Sequence, residues 1–208
     1  MLNDIYQRLY SCFGPQGWWP AQTSFEIILG AILTQNTAWS NVVKALNSLK
    51  DEKMLSITGI RKIRVKRLAQ LIQPAGYYNL KAQRIKNFII FLFDEYNGNL
   101  QGMLKKELPL LRHELLNING IGPETADSIL LYAAGKPIFV VDAYTRRVLS
   151  RHDLIDEASA YNQIQAYFMD HLKHDTICFN EYHALIVQLA KSFCRNKPDC
   201  QKCPLKGI

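Results

Sequence analysis

The sequence predicts an all-α fold, arranged by its length as one large domain or two small lobes. Capping and amphipathic signals for helices recur along the 208 residues, while strand signals are confined to one four-residue stretch. Apolar residues make up 48% of the chain, with three Trp, ten Tyr and nine Phe, enough for a core and too many for a disordered chain.

The elements follow in order. Thr23 with Glu26 fits a capping box that leads into the run FEIILGAIL. Asn36 or Thr37 caps a helix through Leu49. From 62 to 72, Ile63, Val65, Leu68, Leu71 and Ile72 form an apolar stripe opposite a basic face, and Pro74 and Gly76 end it. Asn79 caps the next helix, which runs to about Tyr96. A further helix spans 108–116, and Pro123 opens one towards Ala134 from a first-turn position. Asp142 opens a helix through Ser150, and two more cover 159–172 and 180–193. The apolar residues 138–141 read as a buried connector between helices.

Lys and Arg number 25 against 18 Asp and Glu, for a net charge of +7. That balance points to a polyanionic partner, nucleic acid first. The positive charges cluster at Arg61, Lys62, Arg64, Lys66 and Arg67, at Lys81, Arg84 and Lys86, and at Arg146, Arg147 and Arg151. The longest wholly apolar run, Phe88 to Phe93, is six residues, against about 20 for a membrane-spanning helix. Asn3, Asp4, Gln7 and Arg8 leave no apolar signal region, so a cytoplasmic, nucleoid-associated protein is expected.

Five cysteines without a signal peptide suggest a reducing compartment rather than a disulfide framework. Cys12 and Cys178 sit among apolar neighbours and read as buried thiols. Cys194, Cys200 and Cys203 stand apart as C-x5-C-x2-C. The five histidines, at 113, 152, 171, 174 and 183, lack a ligand spacing and read as surface or core residues.

The stretch LNINGIGPET, 116–125, carries the most chemistry. It reads as helix, tight turn, helix, with Gly120 and Gly122 permitting positive φ and Ile121 tucking inward. Backbone N–H groups of such a turn form an anion site suited to phosphate. Downstream, IFVVDAYTRRV places Asp142 behind four apolar residues at a helix start. An Asp there is by default an N-cap. Behind an apolar run it is also a candidate for a reaction centre.

Here the sequence resembles a family. INGIGPETADSILLYAAGKPIFVVDAYTRRV is similar to the helix-hairpin-helix and Gly/Pro-rich loop plus aspartate signature of the endonuclease III superfamily of DNA glycosylases. ILGAILTQNTAW resembles that family's early helix and glutamine-bearing turn, and AGYYNLKAQRI its loop before a helix. The resemblance implies a six-helix barrel over 23–138 and a second helical lobe from 1–22 and 139–208. It implies a monomer that binds double-stranded DNA containing a damaged base across the cleft between lobes and flips that base out. The hairpin residues Gly120, Ile121, Gly122 and Thr125 would hold one strand, with a monovalent cation on the hairpin carbonyls. Gln35 matches the residue that fills the vacated stack, and Tyr77 falls where a wedge opens the opposite strand.

One departure bears on mechanism. Bifunctional members carry a lysine two residues after the second hairpin glycine, and its amine forms a Schiff base with the sugar. This chain has Glu124 there and retains Asp142. The resemblance then implies a monofunctional glycosylase in which Asp142 stabilises an oxocarbenium-like sugar or activates water. Glu124 is a candidate for base recognition, although an acidic residue in a first helical turn also simply suits the helix dipole. GWWP with Trp18 and Trp19, together with Trp39, AGYYN and Glu124, resembles the 3-methyladenine branch, whose cationic bases leave readily and are favoured between electron-rich rings.

The cysteines resemble the family's iron–sulfur loop, which holds a [4Fe–4S] cluster on four thiolates. Cys194, Cys200 and Cys203 supply three, and the usual fourth would fall at residue 209. Either that cysteine lies beyond residue 208, or the cluster is absent or three-iron, or another thiol such as Cys178 serves. Two other functions remain open at this point: a glycosylase for another lesion or mismatch (thymine, adenine or an oxidised pyrimidine), and a DNA-binding helical module without catalysis.

Overall fold

The computed structural model describes all 208 residues and contains twelve α-helices and no strand. No helix is long and apolar enough to cross a membrane. The chain divides into two compact units, residues 21–135 and residues 1–20 with 136–208.

The first unit is built around α2 (Ser24–Leu33), which is buried along almost its whole length. Thr23 caps it by accepting from the Glu26 N–H at 3.1 Å. The buried Glu26 carboxylate accepts from the Gln22 N–H and pairs with Lys50 at 2.5 Å. Around α2 stand α3 (Trp39–Asp51), α4 (Ile57–Lys62), α5 (Val65–Leu71), α6 (Tyr78–Tyr96), α7 (Leu100–Lys105), α8 (Leu108–Leu116) and α9 (Pro123–Ser128). Beyond α9 the helix widens into a π-turn, Ile129–Ala133, in which the Ala134 N–H donates to the Ile129 carbonyl five residues back. Such turns recur at functional sites.

Several starts differ from expectation. Ala38 caps α3 rather than Asn36 or Thr37, and Asn79 lies inside α6, which begins behind Tyr77. The helices α4 and α7 have side-chain caps, Ser56 and Asn99, but span six residues each, too few to show a periodic stripe.

The second unit holds α1 (Leu2–Phe13), α10 (Ala143–Arg151), α11 (Tyr161–His171) and α12 (Thr176–Ser192). Helix α12 packs against both α1 and α10. Leu2, Ile5 and Leu9 bury the inner face of α1. Tyr6 meets Tyr182 edge-on at 5.3 Å, and the Tyr182 hydroxyl donates to the Leu2 carbonyl. Residues 138–141 are buried, with no strand partner. Their backbone is satisfied otherwise: the Phe139 carbonyl accepts from Gln165 Nε2 at 2.7 Å, and the Val141 N–H reaches the Tyr161 hydroxyl.

Candidate functional site

Asp142 is positioned by the connector before it. The Phe139 ring stacks on Phe168 at 3.7 Å and meets Phe179 and Tyr182 edge-on. That aromatic cluster fixes the end of the connector, where α10 begins with Asp142 as N-cap. Asp142 Oδ1 accepts from the Thr145 N–H at 2.7 Å and from its hydroxyl at 2.9 Å. Oδ2 faces His183 Nε2 of α12 at 3.5 Å. Burial pushes the carboxyl pKa up, but the charge and contact of His183 and the two Thr145 bonds pull it down further, and the net direction is down. The group is therefore a carboxylate at neutral pH. Sequence reading missed His183, which carries no motif; only its placement beside Asp142 marks it.

The hairpin lies in the other unit. Gly120 has φ +95, and a Cβ there would stand 2.3 Å from Arg84 Cγ, so glycine is required twice over. Gly122 corrects the expectation of positive φ: its φ is −92 and it is the extended N-cap of α9. The space where its Cβ would stand is open. Ile121 is buried as expected. Gln35 Nε2 donates to the Gly120 carbonyl at 3.1 Å and to Thr125 Oγ1 at 2.8 Å, and Arg84 donates to Gln35 Oε1. Thr125 is buried and Glu124 exposed. The two hairpin helices are clamped by Arg112 of α8, whose Nε and Nη2 reach the two oxygens of the fully buried Asp127 at 2.7 and 3.0 Å.

The carbonyls of Ile118, Asn119 and Gly120 already accept from the Ile121 N–H, Asn87 Nδ2 and Gln35 Nε2. A monovalent cation would have only their second lone pairs.

Tyr77 is 71% exposed and adopts a left-handed conformation, φ +44 and ψ 32. Trp18 and Trp19 are half-buried in the terminal unit, edge-on to each other at 5.5 Å, and Lys191 Nζ lies 5.9 Å from the Trp18 ring. Trp39 is half-buried at the first position of α3, in the unit of residues 21–135.

The basic clusters behave differently from one another. Lys62, Arg64 and Lys66 are exposed. Lys81 is buried, donating to the Leu33 and Ala75 carbonyls, and burial followed by Arg84 lowers its pKa to about 8. Lys86 caps the carbonyls of Ile60, Arg61 and Ile63. Arg146 donates to the carbonyls of Glu157 and Ser159, and Arg147 and Arg151 to the Cys194 carbonyl. The second and third clusters thus hold the fold together rather than offering a free basic face.

Comparison with known proteins agrees with this arrangement. The family model of HhH-GPD superfamily base excision DNA repair proteins matches residues 29–174, which contain Gln35, the hairpin and Asp142. The chain belongs to the HhH-GPD superfamily. A Methanocaldococcus jannaschii protein, MJ1434, provisionally named a DNA repair glycosylase, is 50% identical over 99% of this chain and 94% of its own. Endonuclease III of Sulfolobus acidocaldarius is 31% identical over 88% of this chain and 79% of its own. Among solved structures, the H. pylori 3-methyladenine DNA glycosylase MagIII, bound to 1,N6-ethenoadenine, superposes with a TM-score of 0.81 at 28% identity, over 91% of this chain and 97% of that one.

This HhH-GPD chain is thus a base excision repair DNA glycosylase. Its cysteine loop lies outside the family match. Cys194 is buried and Cys203 half-buried, while Cys200 is exposed. Cys12 is also exposed, which corrects the expectation of a buried thiol. Burial pushes the Cys203 thiol pKa up, the Leu205 N–H pulls it down, and the neighbouring Cys194, Cys200 and Cys12 push it up. No three His, Cys, Asp or Glu side chains are arranged to hold a single metal ion.

Proposed function

We propose that this chain is a monofunctional glycosylase that hydrolyses the N-glycosidic bond of an alkylated purine flipped out of double-stranded DNA, leaving the strand intact. One observation carries the reading. Residue 124, the position of the Schiff-base lysine in bifunctional members, is an exposed glutamate, while Asp142 is a half-buried carboxylate held ionised. A carboxylate cannot form a Schiff base.

The chemistry follows from Asp142. As the base departs with the bonding electrons, positive charge develops on the sugar. A nearby carboxylate stabilises that state, or takes the proton of the water whose oxygen bonds to the sugar carbon. Thr145 occupies Oδ1, so Oδ2 is the oxygen directed to this work, backed by His183. A base that is already cationic leaves without a donated proton, and 3-methyladenine is such a base. The indole faces of Trp18 and Trp19 suit a cation. The placement of Lys191 near Trp18 supports that view of the ring. The H. pylori relative is named for this substrate. Gly120, Ile121, Gly122 and Thr125 would hold the damaged strand, Gln35 the gap and Tyr77 the opposite strand.

The test is substrate range. Methylated DNA and duplexes bearing single lesions are incubated with the protein and released bases are identified. Release of 3-methyladenine is expected. Release only of mismatched thymine or adenine, or of oxidised pyrimidines, would overturn the alkylpurine assignment. DNA binding with no base released from any duplex would overturn catalysis itself.

A further inference from the structure

We propose that the turn between α4 and α5 is a second backbone-binding surface for duplex DNA, separate from the hairpin, on which Lys62, Arg64 and Lys66 contact phosphates of undamaged and damaged duplex alike. Charge is unevenly distributed along the chain. From Lys53 to Phe93 there are nine Lys and Arg and no Asp or Glu. Of the 25 Lys and Arg and 18 Asp and Glu, that leaves 16 cations against 18 carboxylates elsewhere. One stretch, covering α4, α5 and most of α6, thus supplies the whole positive excess. Positive charge gathered on one part of a surface is the footprint of a polyanionic partner.

Most of these cations are engaged within the protein. Arg61 lies over the Phe93 ring at 3.6 Å, Arg67 pairs with Glu52 at 3.1 Å, and Lys81, Arg84 and Lys86 turn to internal oxygens. Lys62, Arg64 and Lys66 differ. All three are exposed, and no hydrogen bond or ion pair holds their side chains. They fall within five residues, around a turn in which Ile63 and Arg64 are both extended.

Lys86 fixes this turn. Its Nζ donates to the carbonyls of Ile60 and Arg61 at 2.7 and 3.1 Å, and to that of Ile63. It thereby covers the negative end of α4, which would otherwise repel a phosphate. The next residue on α6, Asn87, donates to the Asn119 carbonyl of the hairpin at 3.0 Å. One turn of α6 therefore braces both the hairpin and the α4–α5 turn, inside the unit of residues 21–135. Elements packed 8–10 Å from one helix axis and about 100° apart around it stand about 14 Å from each other. At about 3.4 Å of axial rise per phosphate on a strand, that is about four phosphates. A duplex gripped at the hairpin thus has phosphates within the span of the second turn.

The experiment is fluorescence anisotropy of the whole chain with a short undamaged duplex over a series of salt concentrations. It rests on DNA binding alone, so its outcome does not depend on the lesion or on the role of Glu124. The logarithm of the binding constant falls with the logarithm of salt by about 0.9 for each phosphate neutralised. Combining Lys62→Gln, Arg64→Gln and Lys66→Gln should make that slope shallower by about two to three and weaken binding about tenfold or more at low salt. Arg64→Gln alone should make it shallower by about one. Combining Lys44→Gln, Lys105→Gln and Lys173→Gln removes the same charge from exposed lysines elsewhere and should keep the wild-type slope. Every changed residue is exposed, so circular dichroism should match the wild type throughout. An unchanged slope in the first combination, or an equal loss in the second, would overturn the proposal. So would a fall in single-turnover base release from a lesion duplex at saturating protein, which would place these cations at the reaction centre.

Discussion

Asp142 Oδ2 and His183 Nε2 stand 3.5 Å apart, one residue opening α10 and the other buried on α12. The imidazole stabilises the ionised carboxylate and limits its orientation, which makes His183 a positioning residue for Asp142. Removing it as His183→Gln takes away a cause of the lowered Asp142 pKa. The acid limb of the pH–rate profile for base release should then move to higher pH, with a fall of about tenfold in rate where Asp142 is partly protonated. A lower rate with an unshifted limb would make His183 purely structural.

Asp142→Asn separates chemistry from capping. Asparagine caps a helix about as well as aspartate, so the thermal midpoint should change little. Base release should fall by roughly 10²–10⁴-fold. Asp142→Ala should lose the same activity and in addition about 1 kcal/mol of stability, because Thr145 loses its acceptor. Denaturant titration beside single-turnover kinetics separates the two effects.

Lys81 gives the fold a pH dependence of its own. Its pKa is about 8 in the folded chain against an ordinary 10.5. Between those values the unfolded chain binds more protons, so folding stability rises with pH across the window and the gain is lost as pH falls through about 8. Lys81→Met should flatten that rise, while lowering stability at every pH through loss of two carbonyl bonds. Urea midpoints measured across this window check it.

The clamp between the hairpin helices should be costly to break. Asp127 is fully buried and its two oxygens face Arg112, itself 23% exposed. Arg112→Met should destabilise the chain by about 2 kcal/mol or more, since one partner of a buried pair is removed. Chemical denaturation measures this directly.

Tyr77 combines high exposure with a left-handed backbone that disfavours a side chain. Tyr77→Gly should relieve roughly 1 kcal/mol of strain and leave the fold at least as stable. If the ring is the wedge, lesion-duplex affinity should nevertheless fall. Fluorescence anisotropy with lesion-containing and undamaged duplexes distinguishes that loss from a general one.

What the sequence made legible was local. Thr23 with Glu26, Pro123 and Asp142 mark helix starts through chemistry contained within one turn, and each stands where expected. The buried connector at 138–141 was legible because four apolar residues between helices are too few for a paired strand. Other features depend on partners distant in the chain. Lys81, Arg84 and Lys86 look like a basic patch in sequence, yet each turns to an oxygen within the protein. His183 is an unremarked residue in an apolar helix until α12 brings it to Asp142. Cys12 was misread because its sequence neighbours are apolar, whereas exposure depends on which face α1 presents to α12. Gly122 illustrates a further ambiguity: its backbone is extended and a Cβ there would meet open space, so neither conformation nor packing demands glycine.

The central claim is hydrolysis without a Schiff base, and one measurement tests it most directly. A lesion-bearing duplex is incubated under single-turnover conditions with and without borohydride, and base release, strand breakage and covalent protein–DNA complex are followed together. The account predicts released base, strand breaks only after alkali, and no trapped complex. A borohydride-trapped complex, with breaks appearing before alkali, would show an amine nucleophile at work and contradict the role assigned to Asp142 in a chain with glutamate at position 124.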